Sequence, residues 1–367
     1  MRAVALAAVL VLAVAGCGGG GGGGADAGAE TETGAEAETD AETGAEAETE
    51  AETGAETGTD AEGDAVVVVT FNTGTAGVPG GTEPGDNFGY GPVQAGWSDT
   101  WYGNGLAWTA FVDAAAAFLA DVRPDIVAFQ EIFYSGRCPE IPAEARVGFV
   151  CETWQPGDPT VAQLLVGAGW QVACHPGKPD KCLAVRRAFG HFRGCDADLC
   201  LEGLAGSTVP GCGSGARVAR GVIERSAGPP LTVVNFHGTS GFDPESLACR
   251  VAQVEQVFVD LGDGAPGANG DANIILGDLN TDPGRLASDD PSAARWLDFT
   301  GPGSAFHFVT ELGEDAPATY GGLLSIDHVL SDTFDGACWS AGTTEGHPPV
   351  TEARIFDHQP TVCVLRR

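Results

Sequence analysis

Short apolar runs recur along this chain, and most of them stop at, or carry, a small set of polar residues. AVVVVTF (65–71) is followed at once by Asn72, and Ile126–Phe129 by Gln130 and Glu131. Leu231–His237 carries Asn235 and His237, and Ala272–Gly277 leads into Asp278, Leu279 and Asn280. Ser325-Ile326-Asp327-His328 opens a run that reaches Leu330, and Phe356-Asp357-His358-Gln359-Pro360 precedes Thr361–Leu365. Runs of this length, bounded by Gly, Pro, Asn or Asp, are expected to be strands. An unbroken one such as AVVVVTF suits a strand covered on both faces. Weaker strands are expected over Trp170–Cys174, Cys182–Arg186 and Val218–Glu224. Helical spacing occurs twice. Phe111, Val112, Ala115, Phe118, Leu119 and Val122 share one face after Trp108. Leu247, Val251, Val254, Phe258 and Leu261 share another, after Asp243-Pro244, an N-cap with Pro at the first helical position. Residues 73–107, rich in Gly, Pro, Asp and Trp, read as loop. Strands thus alternate with helices early and adjoin one another later. That is an α/β pattern of sheets packed on each other with helices outside, in one domain.

The folding part is smaller than the chain. The sequence has 367 residues and a formal charge of −33; its first 64 residues hold 15 of the 51 acidic side chains and one, Arg2, of the 18 basic ones. The 303 residues from 65 to 367 therefore carry 36 acidic against 17 basic side chains, a formal −19. Some 300 residues can bury a large core. The charge argues against a basic face gripping nucleic acid. No run after Cys17 approaches the roughly 20 apolar residues of a membrane span. Residues 1–17, MRAVALAAVLVLAVAGC, set one positive charge before 13 apolar residues and end Val14-Ala15-Gly16-Cys17. This resembles the signal peptide and lipobox of bacterial lipoproteins. It implies acylation of Cys17, a membrane anchor made of acyl chains, and a place in the cell envelope on the periplasmic or extracellular face. Residues 18–64 are seven glycines followed by Ala, Glu, Thr, Gly and Asp, with ETGAEAET present twice. Such a segment has too little apolar surface to offset its ordering entropy, and is expected to be a disordered linker.

Ten cysteines remain beyond Cys17, an even number that in an exported chain suggests disulfides. None forms a Cys-x-x-Cys pair, which argues against zinc. Cys174, Cys182, Cys195, Cys200 and Cys212 crowd the Gly-rich stretch 174–215, expected to be a loop insertion held by local bridges. The pairing is not set by the sequence.

Strands converging at one end would gather the polar residues into one pocket. A cluster of Asn, Glu, Asp and His, rich in oxygen and poor in thiolate, suits a hard divalent cation such as magnesium, or manganese. It also suits in-line attack by water on phosphorus, with imidazolium neutralising charge and a carboxylate orienting the water. Taken singly, each residue has a blander reading: Asn72 as a turn residue, Glu131 as a solvated acid, Asp278 as a turn former.

As an ordered set, FNTG, DIVAFQE, VVNFH, IILGDLNTDP, SIDHVLS and FDHQPTV resemble the endonuclease/exonuclease/phosphatase superfamily, of deoxyribonuclease I-like fold. The resemblance runs from about Val66 to Val364 and implies a four-layered α/β sandwich: two packed mixed sheets flanked by helices, with the site at one edge. It implies Glu131 as primary metal ligand, Asn72 beside it and Asp357 as a second carboxylate near the metal. Asp278 would orient or deprotonate the water, and Asn280 would bond the phosphate. His358 would contact a phosphate oxygen, with Asp327 fixing its ring and raising its pKa, and His237 would be a second catalytic histidine. His328 points to the other side of its strand and reads as structural. Tyr90, Trp97, Trp101 and Tyr102 read as packing, and the Gly238-Thr239-Ser240 that follows His237 departs from the family pattern.

The expectation is an exported, lipid-anchored, metal-dependent phosphoesterase, monomeric and nuclease-like, cleaving a phosphodiester in nucleic acid or a phospholipid headgroup. A sphingomyelinase-like hydrolase or a phosphomonoesterase is the alternative within that class. A non-catalytic binding module on the same fold is the alternative outside it, and predicts a broken motif set.

Overall fold

The computed structural model describes residues 65–77, 88–213, 217–352 and 355–367. The leader, Cys17 and the linker expected over 1–64 lie outside the described residues, as do 78–87 of the expected loop. In chain order the strands are β1 (Val66–Asn72), β2 (Ile126–Gln130), β3 (Trp170–His175), β4 (Lys178–Arg186), β5 (Gly190–Phe192), β6 (Leu199–Cys200) and β7 (Arg217–Arg225). There follow β8 (Leu231–His237), β9 (Asn273–Asp278), β10 (His307–Phe308), β11 (Asp327–Ser331), β12 (Asp335–Ser340) and β13 (Thr361–Arg366). They form a seven-stranded sheet, β12-β13-β1-β2-β4-β3-β6, and a six-stranded sheet, β10-β11-β9-β8-β7-β5. Both are mixed: β1 runs parallel to β2 and β8 to β9, whereas β1 is antiparallel to β13 and β9 to β11.

The helices are α1 (Pro92–Trp97), α2 (Thr109–Val122), α3 (Val161–Val166), α4 (Pro244–Phe258), α5 (Pro283–Leu286) and α6 (Pro291–Thr300). Asp243 caps α4 by accepting from the backbone of Glu245 and Ser246, and Pro244 begins it without an amide to satisfy. Arg123, in the left-handed region, closes α2 just before Pro124.

Three apolar cores separate four layers. Val66, Val68, Ile126, Ala128, Val233, Ile274, Leu276 and Val329 fill the space between the sheets. The other faces of the same strands are covered too. Val69, Phe71, Val127 and Phe129 pack with Phe111, Val112 and Leu119 of α2 and Leu165 of α3. Val234, Phe236, Ile275 and Leu330 pack with Val254 and Val257 of α4 and Trp296 of α6. Each such side chain, fully buried, contributes about 1.5–3 kcal/mol, which is why these strands read as unbroken apolar runs. The molecule is thus a four-layered α/β sandwich.

Two sequence expectations are corrected. The stretch 73–107 holds α1 and a turn of π-helix over Ser98–Tyr102. Tyr90 and Tyr102 are buried, and Trp97 and Trp101 pack partly buried against the same core. The 174–215 region is not a loop insertion throughout. Its first part is the β3–β4 hairpin, whose arms match the strands expected over Trp170–Cys174 and Cys182–Arg186, but β4 begins earlier, at Lys178, and lies between β2 and β3 within the large sheet. The first turn of that hairpin, HPGKPDK, gave no apolar alternation to reveal it. All ten cysteines of the described residues are paired: 138–151, 174–182, 195–200, 212–249 and 338–363. Cys174–Cys182 and Cys195–Cys200 are local, whereas Cys212–Cys249 reaches α4. Among the described residues, no helix is long and apolar enough to cross a membrane.

Candidate active site

Side chains on a strand alternate between its faces, so a residue two positions beyond an inward valine also points inward. Val66 and Val68 are followed on that face by Thr70 and Asn72, Ile126 and Ala128 by Gln130, and Val233 by Asn235 and His237. Ile274 and Leu276 are followed by Asp278, and Asp327 shares the face of Val329. The polar residues therefore close one end of the inter-sheet core. Parallel pairing aligns Asn72 with Gln130 and His237 with Asp278, and antiparallel pairing sets Asp327 beside Asp278. β13 runs opposite to β1, so the residues just before it, Asp357 and His358, arrive at the same end.

Gln130 and Asn235 form the floor. The Gln130 amide donates to Asn235 Oδ1 at 2.8 Å, and Asn235 Nδ2 donates to the carbonyls of Phe129 (2.9 Å) and Cys182 (3.0 Å). This buried network ties the sheets together directly beneath the polar end.

Above it lies an Asp–His–Asp array. His358 Nδ1 is 2.8 Å from Asp327 Oδ2, and its Nε2 is 3.7 Å from Asp278 Oδ2. Asp278 is fully buried and accepts from Asn280 N (2.7 Å), Asn280 Nδ2 (3.0 Å) and Asn72 Nδ2 (3.0 Å). The other amide hydrogen of Asn280 goes to the Gly238 carbonyl at 2.9 Å, so Asn280 holds Asp278 in place. Position 238 must be glycine, because a Cβ there would lie 2.3 Å from the Leu279 carbonyl oxygen. This is where the family departure after His237 falls. His237 Nε2 sits 3.4 Å from Glu131 Oε1 and 3.7 Å from Asp278 Oδ2.

The two histidines are driven apart. Burial would lower His358, but the Asp327 and Asp278 carboxylates outweigh it and lift it to about 10. Burial, then the Lys181 ammonium, holds His237 well below its usual value. Around neutral pH one ring is an imidazolium and the other is neutral. Burial pushes the Asp278 carboxyl up against the pull of His358, with Asp327 pushing it further. Pairs of groups separated in this way by their surroundings mark acid–base sites.

A second cluster adjoins the first. A Cβ added at Gly74 would lie 2.7 Å from Glu131 Oε2, 3.0 Å from Asp357 Oδ1 and 3.2 Å from Asn72 Oδ1. Three oxygens thus converge on one small space that only a side chain as small as hydrogen leaves open. Asp357 Oδ1 is buried and has no hydrogen-bond partner among the described residues. Burial and the Asp357 carboxylate raise Glu131, and burial raises Asp357 against the pull of His358. Crowded oxygen donors with an orphaned carboxylate oxygen among them fit a small, hard divalent cation. Asp278, Asp327 and His358 also bring ligand atoms within 4.8 Å of one another. There, however, His358 Nδ1 already hydrogen-bonds Asp327, so the oxygen cradle is the better cation site.

Glu131 and Asn280 share a further trait. Both have left-handed backbone, with φ of 55° and 50°, and neither is glycine. Such strain persists only where the surroundings over-determine it, and it gathers at functional sites. His328 is buried away from the cluster, between Thr310 Oγ1 and the Ser325 carbonyl, both at 2.8 Å. Sequence reasoning did not single out Tyr320. Its ring lies 4.8 Å from that of His358, and the site carboxylates Asp357, Asp278 and Glu131 add to burial in raising its hydroxyl. Gly74 and the two lysines beside His237 were also missed. Position 74 carried a signal, the small residue directly after Asn72, but glycine there reads as an ordinary turn.

No protein-family profile matches the sequence, and no curated protein matches it. Solved structures do. A humanised TDP2 of D. rerio carrying 14 mutations is 12% identical, covers 83% of this chain and 99% of its own, and gives a TM-score of 0.48. An endonuclease/exonuclease/phosphatase family protein from Bacteroides thetaiotaomicron is 14% identical over 82% of this chain and 94% of its own, with a TM-score of 0.44. An AP endonuclease from Archaeoglobus fulgidus is 14% identical over 82% and 98%, with a TM-score of 0.45. The similarity is one of fold.

Proposed function

We propose that this chain is a metal-dependent phosphoester hydrolase that cleaves a phosphodiester, nuclease-like, by in-line attack of water. The observation that carries this reading is the meeting of two devices at one sheet end: a buried Asp–His–Asp array and a three-oxygen cradle. Asn72, Glu131 and Asp357 would hold a magnesium or manganese ion, which when bound supplies Lewis-acid neutralisation of phosphoryl oxygen charge. Asp278, desolvated and so more basic than a surface carboxylate, takes the proton of the attacking water as the ester P–O bond opposite breaks, and the departing alcohol oxygen takes a proton from solvent. Asn72 and Asn280 fix its two oxygens. His358, charged and oriented by Asp327, neutralises a non-bridging oxygen as the transition state forms. His237, neutral, lies across from it as a hydrogen-bond partner for the phosphate.

The domain assignment stands as part of the proposal: a leader and lipobox over 1–17, a linker over 18–64 and a catalytic domain over 65–367. Five disulfides favour an oxidising compartment. That agrees with export and with a lipid anchor at Cys17 in the cell envelope.

The test is hydrolysis of bis-p-nitrophenyl phosphate with magnesium and with a chelator, alongside plasmid DNA and sphingomyelin. Chelator-sensitive turnover is expected, falling by about 100-fold or more in Asp278→Ala and in His358→Ala. No turnover, or unaltered rates in both variants, would refute the assignment and favour a binding module.

A further inference from the structure

Of the 18 basic side chains in the chain, 16 are arginines; the two lysines, Lys178 and Lys181, stand three positions apart. Both lie in the segment closed by the Cys174–Cys182 disulfide. The Asp180 carbonyl accepts from the backbone of Ile132 at 3.0 Å, which ties this segment to the residue after Glu131. A cavity of about 630 Å³ opens at that point. Glu131 and His237 line it on the reaction side, and Lys178, Asp180, Lys181 and Arg137 line it beyond. Its volume is that of a small-molecule site.

Among the described residues the two lysines share a single acceptor. The Lys181 side chain is only 5% exposed, and its three-donor ammonium has there one hydrogen-bond acceptor, Asp180 Oδ2, at 3.5 Å. Lys178 Nζ shares that same oxygen at 3.1 Å. One carboxylate contacts both ammonium groups, and the other acid lining the cavity, Glu131, is the one assigned to the cation, so both lysines keep donors for an anion. A desolvated cation with spare donors is costly unless an acceptor meets it. This occurs in a domain of formal charge −19, against the trend of its whole surface. Lysine is a compact point charge suited to phosphate oxygens.

We infer that Lys178 and Lys181 hold a second anionic group of the substrate, a phosphate adjacent to the one being cleaved. The inference rests on the phosphodiesterase reading and narrows it. A polyanionic ester such as a polynucleotide fits this cavity. A choline headgroup does not, because its quaternary ammonium would be repelled.

The test compares a thymidine dinucleotide, which has one phosphodiester, with the same dinucleotide bearing an added 5′ or 3′ phosphate. Bis-p-nitrophenyl phosphate reports the bare reaction. In the wild type one of the added phosphates should raise kcat/KM by about 10- to 100-fold, through KM. Lys178→Gln, at a position 28% exposed, should bring that ratio close to one, and Lys178→Arg should restore much of it. A wild-type ratio near one overturns the inference. So does Lys178→Gln activity reduced equally on every substrate with the ratio intact, which is what a scaffold role gives. Absence of hydrolysis on all substrates, bis-p-nitrophenyl phosphate included, sinks the phosphodiesterase reading and this inference with it.

Discussion

Gly74→Ala separates the oxygen cradle from the rest of the site. Gly74 is not among the left-handed glycines, so alanine meets no backbone penalty there. Its methyl would stand 2.7 Å from Glu131 Oε2, where ordinary contact begins at 3.4 Å, and that oxygen would have to retreat by about 0.7 Å. Asp357 Oδ1, at 3.0 Å, must give way as well. Magnesium accepts oxygens only near 2.0–2.1 Å, so a shift of this size should weaken binding on the order of 10- to 100-fold. In a melting experiment, a cation at 100 times its Kd stabilises the wild type by about 2.7 kcal/mol. A 30-fold weaker site at the same concentration leaves about 0.9 kcal/mol. At roughly 2 °C per kcal/mol for a domain of this size, the magnesium-induced rise in Tm should fall from about 5 °C to about 2 °C. Calorimetric titration with manganese supplies a second reading. A variant that keeps the full rise and the wild-type affinity would refute the cradle as the cation site.

Asp327→Asn should show a pH signature. His358 is lifted to about 10, above its unfolded value near 6.5. Its contribution is therefore full below pH about 6.5 and lost as the pH rises through about 10. The variant should lose more Tm, relative to wild type, at pH about 6 than at pH about 10.5; equal losses would count against the pairing. Asn235→Leu strands the Gln130 amide and the carbonyls of Phe129 and Cys182, and should cost about 3–5 kcal/mol. Urea unfolding measures this, and a loss under about 1 kcal/mol would show that the floor is unimportant. Cys17→Ser should move the protein from the detergent-extracted membrane fraction to the soluble one; unchanged fractionation would remove the lipid anchor.

The strands were legible because they are covered on both faces and so left unbroken apolar runs. The site was legible because each run ends in a residue too polar for the face it occupies. Asp278 after Ile274 and Leu276 shows both at once. Less visible was anything whose role depends on another segment. Gly74 matters only through Glu131 and Asp357, which are far away in sequence. Lys178 and Lys181 lie in HPGKPDK, a Cys-flanked stretch with no apolar alternation to mark it as strand. Helix α6 was missed although Asp290-Pro291 gives the same start signal as Asp243-Pro244, because its buried face is little more than Ala293 and Trp296.

Glu131 and Asn280 bend the chain in a sense that L-residues resist, and glycine would make that bend at no steric cost. Phe88, Asn104 and Arg123 share that backbone, so what sets these two apart is that they fall inside the site. Bred for heat resistance alone, this protein could drift toward glycine at 131 and lose its chemistry, whereas the bonds from Asn280 to Asp278 and the Gly238 carbonyl would hold the other bend in place.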